Sequence, residues 1–321
     1  MAGLNITPLA SESLGVRSMC TFIETRDVSM LIDPGASLGL RFGLIPHPEE
    51  YRRRLELREK INRYAERAEV VAVTHYHYDH YTPAFTEHVL VGSTVEDAEK
   101  TCRGKVMFVK DFKSRINLSQ RRRGWLANRV FSKLAQKVET ADGREFRFGG
   151  TKVMFSPPVP HGEEENMLGW VLMVGVRDGE SSFLFASDVQ GPMSPETLKE
   201  IQRFRPDTLF IGGPPLYLKD FRVDPRLIEK AKGNLMKLGR EISTMVVDHH
   251  LLRDKDWMEY LKPVVESSTG RVCTMAEYAG IPNTPLEYRR VELYRDHPPS
   301  KEFLAWSSQP EEKRRVEPPP V

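Results

Sequence analysis

The chain has 321 residues, 47 Lys/Arg against 45 Asp/Glu for a net charge of +2, and a hydrophobic content of 40%. That balance excludes a wholly disordered chain and a polyelectrolyte, and the length suits one large domain or two small ones. No apolar run approaches the roughly eighteen residues of a membrane helix.

The N-terminal MAGLNITPLASES lacks the basic start and apolar core of a signal peptide. Cys20, Cys102 and Cys273 are scattered and without CxxC spacing. They predict reduced thiols in a cytoplasmic protein and no cysteine zinc site. CTFIET and VSMLIDPG predict paired strands around a turn at Arg26–Asp27. Residues 47–68 have apolar positions at helical spacing. EVVAVTH (69–75) and KVMFVK (105–110) predict strands, 117–137 a helix, and 143–161 strands again. GWVLMVGVRDGESSFLFASD (169–188) reads as a hairpin turning at RDGE. From PETLKEIQRF onward helix and strand alternate through DTLFIGG, DPRLIEKAKGNLMKLG, STMVVDHH, DKDWMEYLKPVVES and RVCTMAEYAG. Strand-rich segments followed by this alternation predict an α/β (α+β) fold of sheets covered by helices. The last 25 residues carry six prolines. They predict a boundary between a domain over 1–296 and a charged, loosely attached tail over 297–321.

Three of the nine histidines fall within six residues, in THYHYDHY (74–81). His75 and His77 are two apart, so on extended backbone both imidazoles point to one side and can grip one metal from a strand end. Asp79 and His80 follow on the loop. Imidazole and carboxylate donors suit Zn²⁺, and also Fe or Mn. His161 follows the strand KVMFS, Asp188 follows FLFAS, and His249 and His250 follow STMVV. Four ligand-bearing loops, each at the carboxyl end of a strand, are a way to build one site from distant sequence.

With these residues the sequence resembles the metallo-β-lactamase superfamily. The family motif HxHxDH is met at His75, His77, Asp79 and His80, and the later His, Asp and His at His161, Asp188 and the His249/His250 pair. Asp33-Pro34-Gly35 is similar to the family's early strand–turn DxG. The resemblance spans about 5–275 and is nearest to an uncharacterised archaeal-type group, with likeness to the sugar-phosphate lactonase branch. It implies a four-layer αββα sandwich with a dinuclear site. His75, His77 and His161 would hold one divalent ion and Asp79, His80 and the last histidine a second, with Asp188 bridging them and Asp33 orienting the loop from behind. His249 is favoured as that last ligand because VVDH closes its strand as AVTH does before His75; His250 is its rival. Two metals about 3.5–4 Å apart can lower the pKa of a shared water to about 7, which implies hydrolysis, with Asp79 orienting the nucleophile or taking its proton. Redox di-iron relatives usually place a glutamate where His77 stands, which argues against oxygen chemistry. The sixty residues between Asp188 and His249 leave little room for the extra domain of the β-CASP RNA-processing enzymes.

Residues 103–137 hold eleven Lys/Arg and one acid, Asp111. Arg121, Arg122 and Arg123 beside Trp125 suit a phosphate backbone with base stacking; the same residues equally suit a solvated helix face. GGPP (212–215) predicts a tight turn at the ligand end of a strand. Tyr76, Tyr78 and Tyr81 predict shielding of the site, GEEEN (162–166) a solvated loop, and Arg17 either an anion contact or packing at the core edge. The expectation is a cytoplasmic hydrolase with two metals, zinc first, acting on a phosphorylated or other anionic small-molecule ester or lactone. The alternatives are a phosphodiesterase or nuclease acting on nucleic acid, and a metal-containing binding module without turnover. No membrane partner is expected.

Overall fold

The computed structural model describes residues 3–164 and 168–321. Glu165 and Asn166 of the GEEEN loop, and the first two residues of the N-terminal stretch, lie outside the described residues; Glu163 and Glu164 are exposed as expected.

Two sheets stand face to face. The first runs β1 (Asn5–Pro8), β2 (Thr21–Glu24), β3 (Ser29–Ile32), β4 (Val70–Val73), β5 (Val106–Val109) and β6 (Lys137–Thr140), in that spatial order. β1 to β3 pair antiparallel and β3 to β6 parallel. The second contains β7 (Glu145–Phe148) and β8 (Thr151–Phe155), then, past the small pair β9 (Val159–Pro160) and β10 (Trp170–Val171), β11 (Val174–Asp178), β12 (Ser181–Phe185), β13 (Thr208–Gly212), β14 (Thr244–Asp248) and β15 (Arg271–Cys273). Its order is β15-β14-β13-β12-β11-β8-β7, parallel from β12 to β15.

Each parallel step needs a crossover, and helices supply them. α1 (Pro48–Arg67), α2 (Val95–Cys102) and α3 (Leu118–Leu134) cross over on the first sheet; α4 (Pro195–Phe204), α5 (Pro225–Gly239) and α6 (Trp257–Ser267) do so on the second. The strand alternation shows why the layers stack. In β4, Val70 and Ala72 join the core between the sheets, while Val71 and Val73 join the core beneath α1. In β14, Val246 faces the opposite sheet and Met245 and Val247 face the helices. The result is the expected four-layer αββα sandwich. Among the described residues, no helix is long and apolar enough to cross a membrane.

α1 starts on a capping box, His47 with Glu50, and Pro48 at its first position. Its buried Arg58 donates to the Pro34 carbonyl (3.1 Å) and to Thr82 Oγ1 (2.7 Å), tying the Asp33-Pro34-Gly35 turn to the far end of the HxHxDH loop. The predicted helix 117–137 ends earlier, and Lys137–Thr140 continues as β6. β1 and α2 carry weak periodic signals and were not expected.

After α7 (Met275–Tyr278) and α8 (Arg290–Asp296), the 297–321 segment departs from the expected loose tail. It forms α9 (Lys301–Ser307) and α10 (Glu311–Val316). Phe303 and Trp306 are buried, with ring centroids 5.9 and 5.6 Å from Tyr51 of α1. The Trp306 indole donates to the Glu317 carbonyl (3.0 Å), and His88 N–H to the Arg315 carbonyl (2.9 Å). Prolines and charges suggested detachment, but two aromatic anchors outweigh them by the apolar area they bury. Trp306→Ala should therefore cost about 3–5 kcal/mol in a denaturant titration; a loss below about 1 kcal/mol would mean that the segment is loosely attached.

Candidate metal centre

The parallel strands of both sheets end on one edge, where loops deliver polar side chains to a common point. Asp33 follows β3, Thr74 and His75 follow β4, His161 follows β9, Asp188 lies just beyond β12, and His249 follows β14. Thr74 Oγ1 and Ser187 Oγ are 2.7 Å apart and join the two sheets directly behind the site.

Among the described residues, four groups of side chains have donor atoms within 4.8 Å of one another. His75, His77, His161 and Asp188 form one; Asp79, His80 and His249 form a second; Asp188, His249 and His250 form a third that links them. Asp188 Oδ2 lies 2.8 Å from His161 Nε2, 3.2 Å from His249 Nε2 and 3.1 Å from His250 Nε2. The fourth group, Asp33 with His75 and His80, is of another kind. Asp33 already accepts from Thr74 N–H (2.8 Å) and Thr74 Oγ1 (2.6 Å), and it faces His80 Nδ1 at 2.8 Å. Its oxygens orient the loop rather than point into the site.

The donor set suits divalent cations. Asp188 Oδ1 is buried and meets no hydrogen-bond partner among the described residues. His75 Nε2 faces His77 Nδ1 at 3.2 Å, and His80 Nε2 faces His249 Nε2 at 3.3 Å. Two facing ring nitrogens can share at most one proton, whereas a cation can use both lone pairs. Burial, then the neighbouring imidazoles, depresses the pKa of His75 and His77 well below the ordinary histidine value, leaving them in the neutral, ligating form. Burial opposes the charge on Asp79, but His80, His249 and Arg253 outweigh it and keep the carboxyl ionised. Burial likewise opposes charge on Asp188, and His161, His250 and His249 overcome it.

Local backbone serves this convergence. Asp33, Ser187, Gln190 and His249 adopt left-handed φ of 49°, 60°, 55° and 64°, conformations that cost a non-glycine residue about 1–2 kcal/mol. A Cβ on Gly35 would stand 2.4 Å from the Asp79 carbonyl carbon and 2.5 Å from His80 N, so only glycine lets the Asp33 turn lie against the metal loop. GGPP runs on from the end of β13 as an irregular segment, and a Cβ on Gly212 would come 3.2 Å from Asp188 Cα, so the strand end packs closely against the cluster.

Several participants had escaped the sequence. Glu12, buried in the turn after β1, accepts from Arg253 Nε (2.6 Å) and lies 2.9 Å from His249 Nδ1. Arg253 reaches on to Asp79 Oδ2 (3.4 Å). Gln120 at the start of α3 places Nε2 3.3 Å from His77 Nε2 and accepts from Tyr76 N–H. The one available signal for Glu12 was an acid inside the apolar stretch LASESLGV. Tyr76 and Tyr81 are core side chains, and Tyr78 lines the cavity in front of the cluster. That cavity, of about 850 Å³, is also lined by His77, Asp79, His161, Asp188 and His250. Arg17 lines it too, but both its Nε and Nη2 are engaged by Glu287 (2.6 and 2.7 Å).

The chain is 42% identical to a UPF0282 protein of Methanopyrus kandleri over 91% of its own length and 98% of that relative. It is 40% identical to a UPF0282 protein of Thermococcus sibiricus over 91% of this chain and 94% of that one. No family model matches. Among solved structures, the metallo-β-lactamase fold protein YhfI from Bacillus subtilis aligns over 85% of this chain and 95% of its own at TM-score 0.51 and 11% identity. Yeast PDE1 aligns over 85% and 97% at TM-score 0.51 and 12% identity. These two likenesses concern the fold.

The Glu12–His249 contact makes a measurable difference if His249 holds a metal. Glu12→Gln should weaken metal retention about 10- to 100-fold in competition with a chelator, with the fold intact by circular dichroism; unchanged retention would separate Glu12 from the centre.

Proposed function

Because the chain belongs to the UPF0282 family and has the metallo-β-lactamase fold, we propose that it is a metal-dependent hydrolase of small anionic esters or lactones. Its cofactors in this proposal are two divalent ions, zinc before iron or manganese. The observation that carries it is the sharing of Asp188 between two clusters of ligand-type side chains at the floor of an open cavity. A closed structural zinc site would use four ligands and no cavity.

His75, His77 and His161 would hold one ion, and Asp79, His80 and His249 the other, with Asp188 between them. His249 takes the last position because its Nε2 faces His80 while Glu12 fixes its other nitrogen. His250 is left toward the cavity, with Nδ1 2.9 Å from the Tyr217 hydroxyl. When bound, the ions would supply a nucleophile from water at neutral pH and screen charge developing on the substrate oxygen. Both Asp79 and Asp188 line the cavity, and Asp79 is the more exposed of the two, 16% against 1%. It is the group to orient the attacking water and take its proton. Arg253 holds Asp79 in place from behind, and Asp33 and Thr74 fix His80 and its loop.

Elemental analysis of gently purified protein should find about two metals per chain, and less than one after reconstitution would end the dinuclear assignment. The loaded protein should turn over at least one member of a panel of phosphomonoesters, phosphodiesters, lactones and thioesters. Asp79→Asn should then lower kcat more than metal content, and Asp188→Asn should lower both. Full metal with undiminished turnover in Asp79→Asn would remove Asp79 from proton transfer. Retained metal with no turnover on any class would favour a binding module.

A second function, phosphodiesterase or nuclease, is favoured by one feature. Arg121 and Arg122 are exposed beside Trp125 and line a groove of about 420 Å³ with Phe112, Lys113 and Leu118. α3 has no acid between Leu118 and Leu134. If this face grips a phosphate backbone, wild-type binding to single-stranded oligonucleotides should fall steeply with salt, and Arg121→Glu with Arg122→Glu should abolish it. No binding at low salt would leave the face a solvated helix.

A further inference from the structure

Two arginines on the wall of the metal cavity have no acid to answer them. Arg123 comes from α3 and lies with its guanidinium carbon 4.2 Å from the Tyr78 ring centroid. Arg314 comes from α10, nearly two hundred residues later, and donates Nε to the Gln309 carbonyl (3.0 Å). Among the described residues, neither forms an ion pair. The other cavity cations are paired: Arg17 with Glu287, Arg253 with Glu12, and Arg315 with Glu311. The acids of the wall are also engaged. Asp79 and Asp188 belong to the metal cluster, Glu311 faces Arg315, and Glu87 accepts from the N–H groups of Val89, Leu90 and Val91.

An aromatic ring under a guanidinium orients it but leaves its full charge. Both side chains are half-buried, so their charge is only partly answered by water. A guanidinium in this situation matches a phosphate, whose oxygens accept its paired N–H donors. Arg314 is held at the cavity by the docking of the C-terminal segment, through Phe303 and Trp306 on Tyr51 and the His88 N–H on the Arg315 carbonyl.

We propose that Arg123 and Arg314 together bind a phosphate group of the substrate, away from the bond cleaved at the metal cluster. Of the substrates the sequence left open, this selects the phosphorylated ester or lactone, and it makes the C-terminal segment part of the binding site. The naming of the substrate rests on the hydrolase assignment; the phosphate site itself does not.

The test separates the two. Chelator-treated protein, free of metal that would itself bind phosphate, is titrated with inorganic pyrophosphate by calorimetry. Wild type should bind saturably at one site. Arg123→Gln and Arg314→Gln should each weaken binding about tenfold, the double variant should weaken it further, and Arg26→Gln in the distant β2–β3 turn should leave it unchanged. Melting curves check that each variant is folded, and Arg123→Lys and Arg314→Lys, which keep the charge, should retain part of the affinity. Equal affinity in wild type and the folded double variant, or no saturable binding by wild type at millimolar pyrophosphate, would overturn the proposal. Pyrophosphate binding by the chelator-treated protein, with no turnover of any ester or lactone of the panel by the metal-loaded protein, would instead count against the hydrolase and leave the phosphate site standing.

Discussion

The burial of a polar cluster at the junction of two sheets is the constraint around which the rest of the molecule is arranged. His75, His80, His249 and Asp188 are all withdrawn from water, and an unpaired polar atom there is costly. The fold meets most of that demand with neighbours that are themselves fixed. Asp33 accepts two bonds from Thr74 and faces His80, and Glu12 stands between His249 and Arg253. What is left over, the bare Asp188 oxygen and the facing imidazole nitrogens, is the part a cation can satisfy.

The supports come from distant parts of the chain because the site lies where both halves of the sandwich meet. Glu12 lies before β2, Arg58 in the first crossover helix, Gln120 in the third, and Arg253 in the short turn after β14. Among the described residues, buried Arg58 forms no ion pair and spends its donors on the Pro34 carbonyl and Thr82. A buried guanidinium held by carbonyls ties two loops together without adding a carboxylate that would compete for the metal. The positive φ values at Asp33, Ser187 and His249 fit the same picture, since strain persists where surrounding contacts over-determine the backbone.

The C-terminal segment shows a different economy of placement. Two aromatic rings of α9 pack on Tyr51 of α1, and the anchored segment then places Arg314 of α10 on the wall of the cavity that Arg123 of α3 also lines. The candidate ligands sit at the strand ends, while much of the rest of the cavity wall comes from the loops around residues 37–45 and 85–91, from α3 and from this segment.

The sequence alone determined the layers and the ligand candidates. Short β-branched runs such as VVAV and MVVD, each broken by a polar residue, identified the buried parallel strands, since β-branched chains pack well between layers. The two-residue spacing of His75 and His77 and the strand-end positions of His161, Asp188 and His249 made a candidate metal site legible, and the structure brings these side chains together. Only the tertiary structure decided what depends on distance rather than order. Glu12 against His249, Gln120 against His77, Arg17 captured by Glu287, and Trp306 seated on Tyr51 are contacts between residues 43 to 270 positions apart. Local periodicity carries no record of such contacts. The 297–321 segment illustrates the reason: its composition is that of a solvated tail, and the free energy that orders it comes from an apolar surface on α1 exposed only once the sandwich has formed.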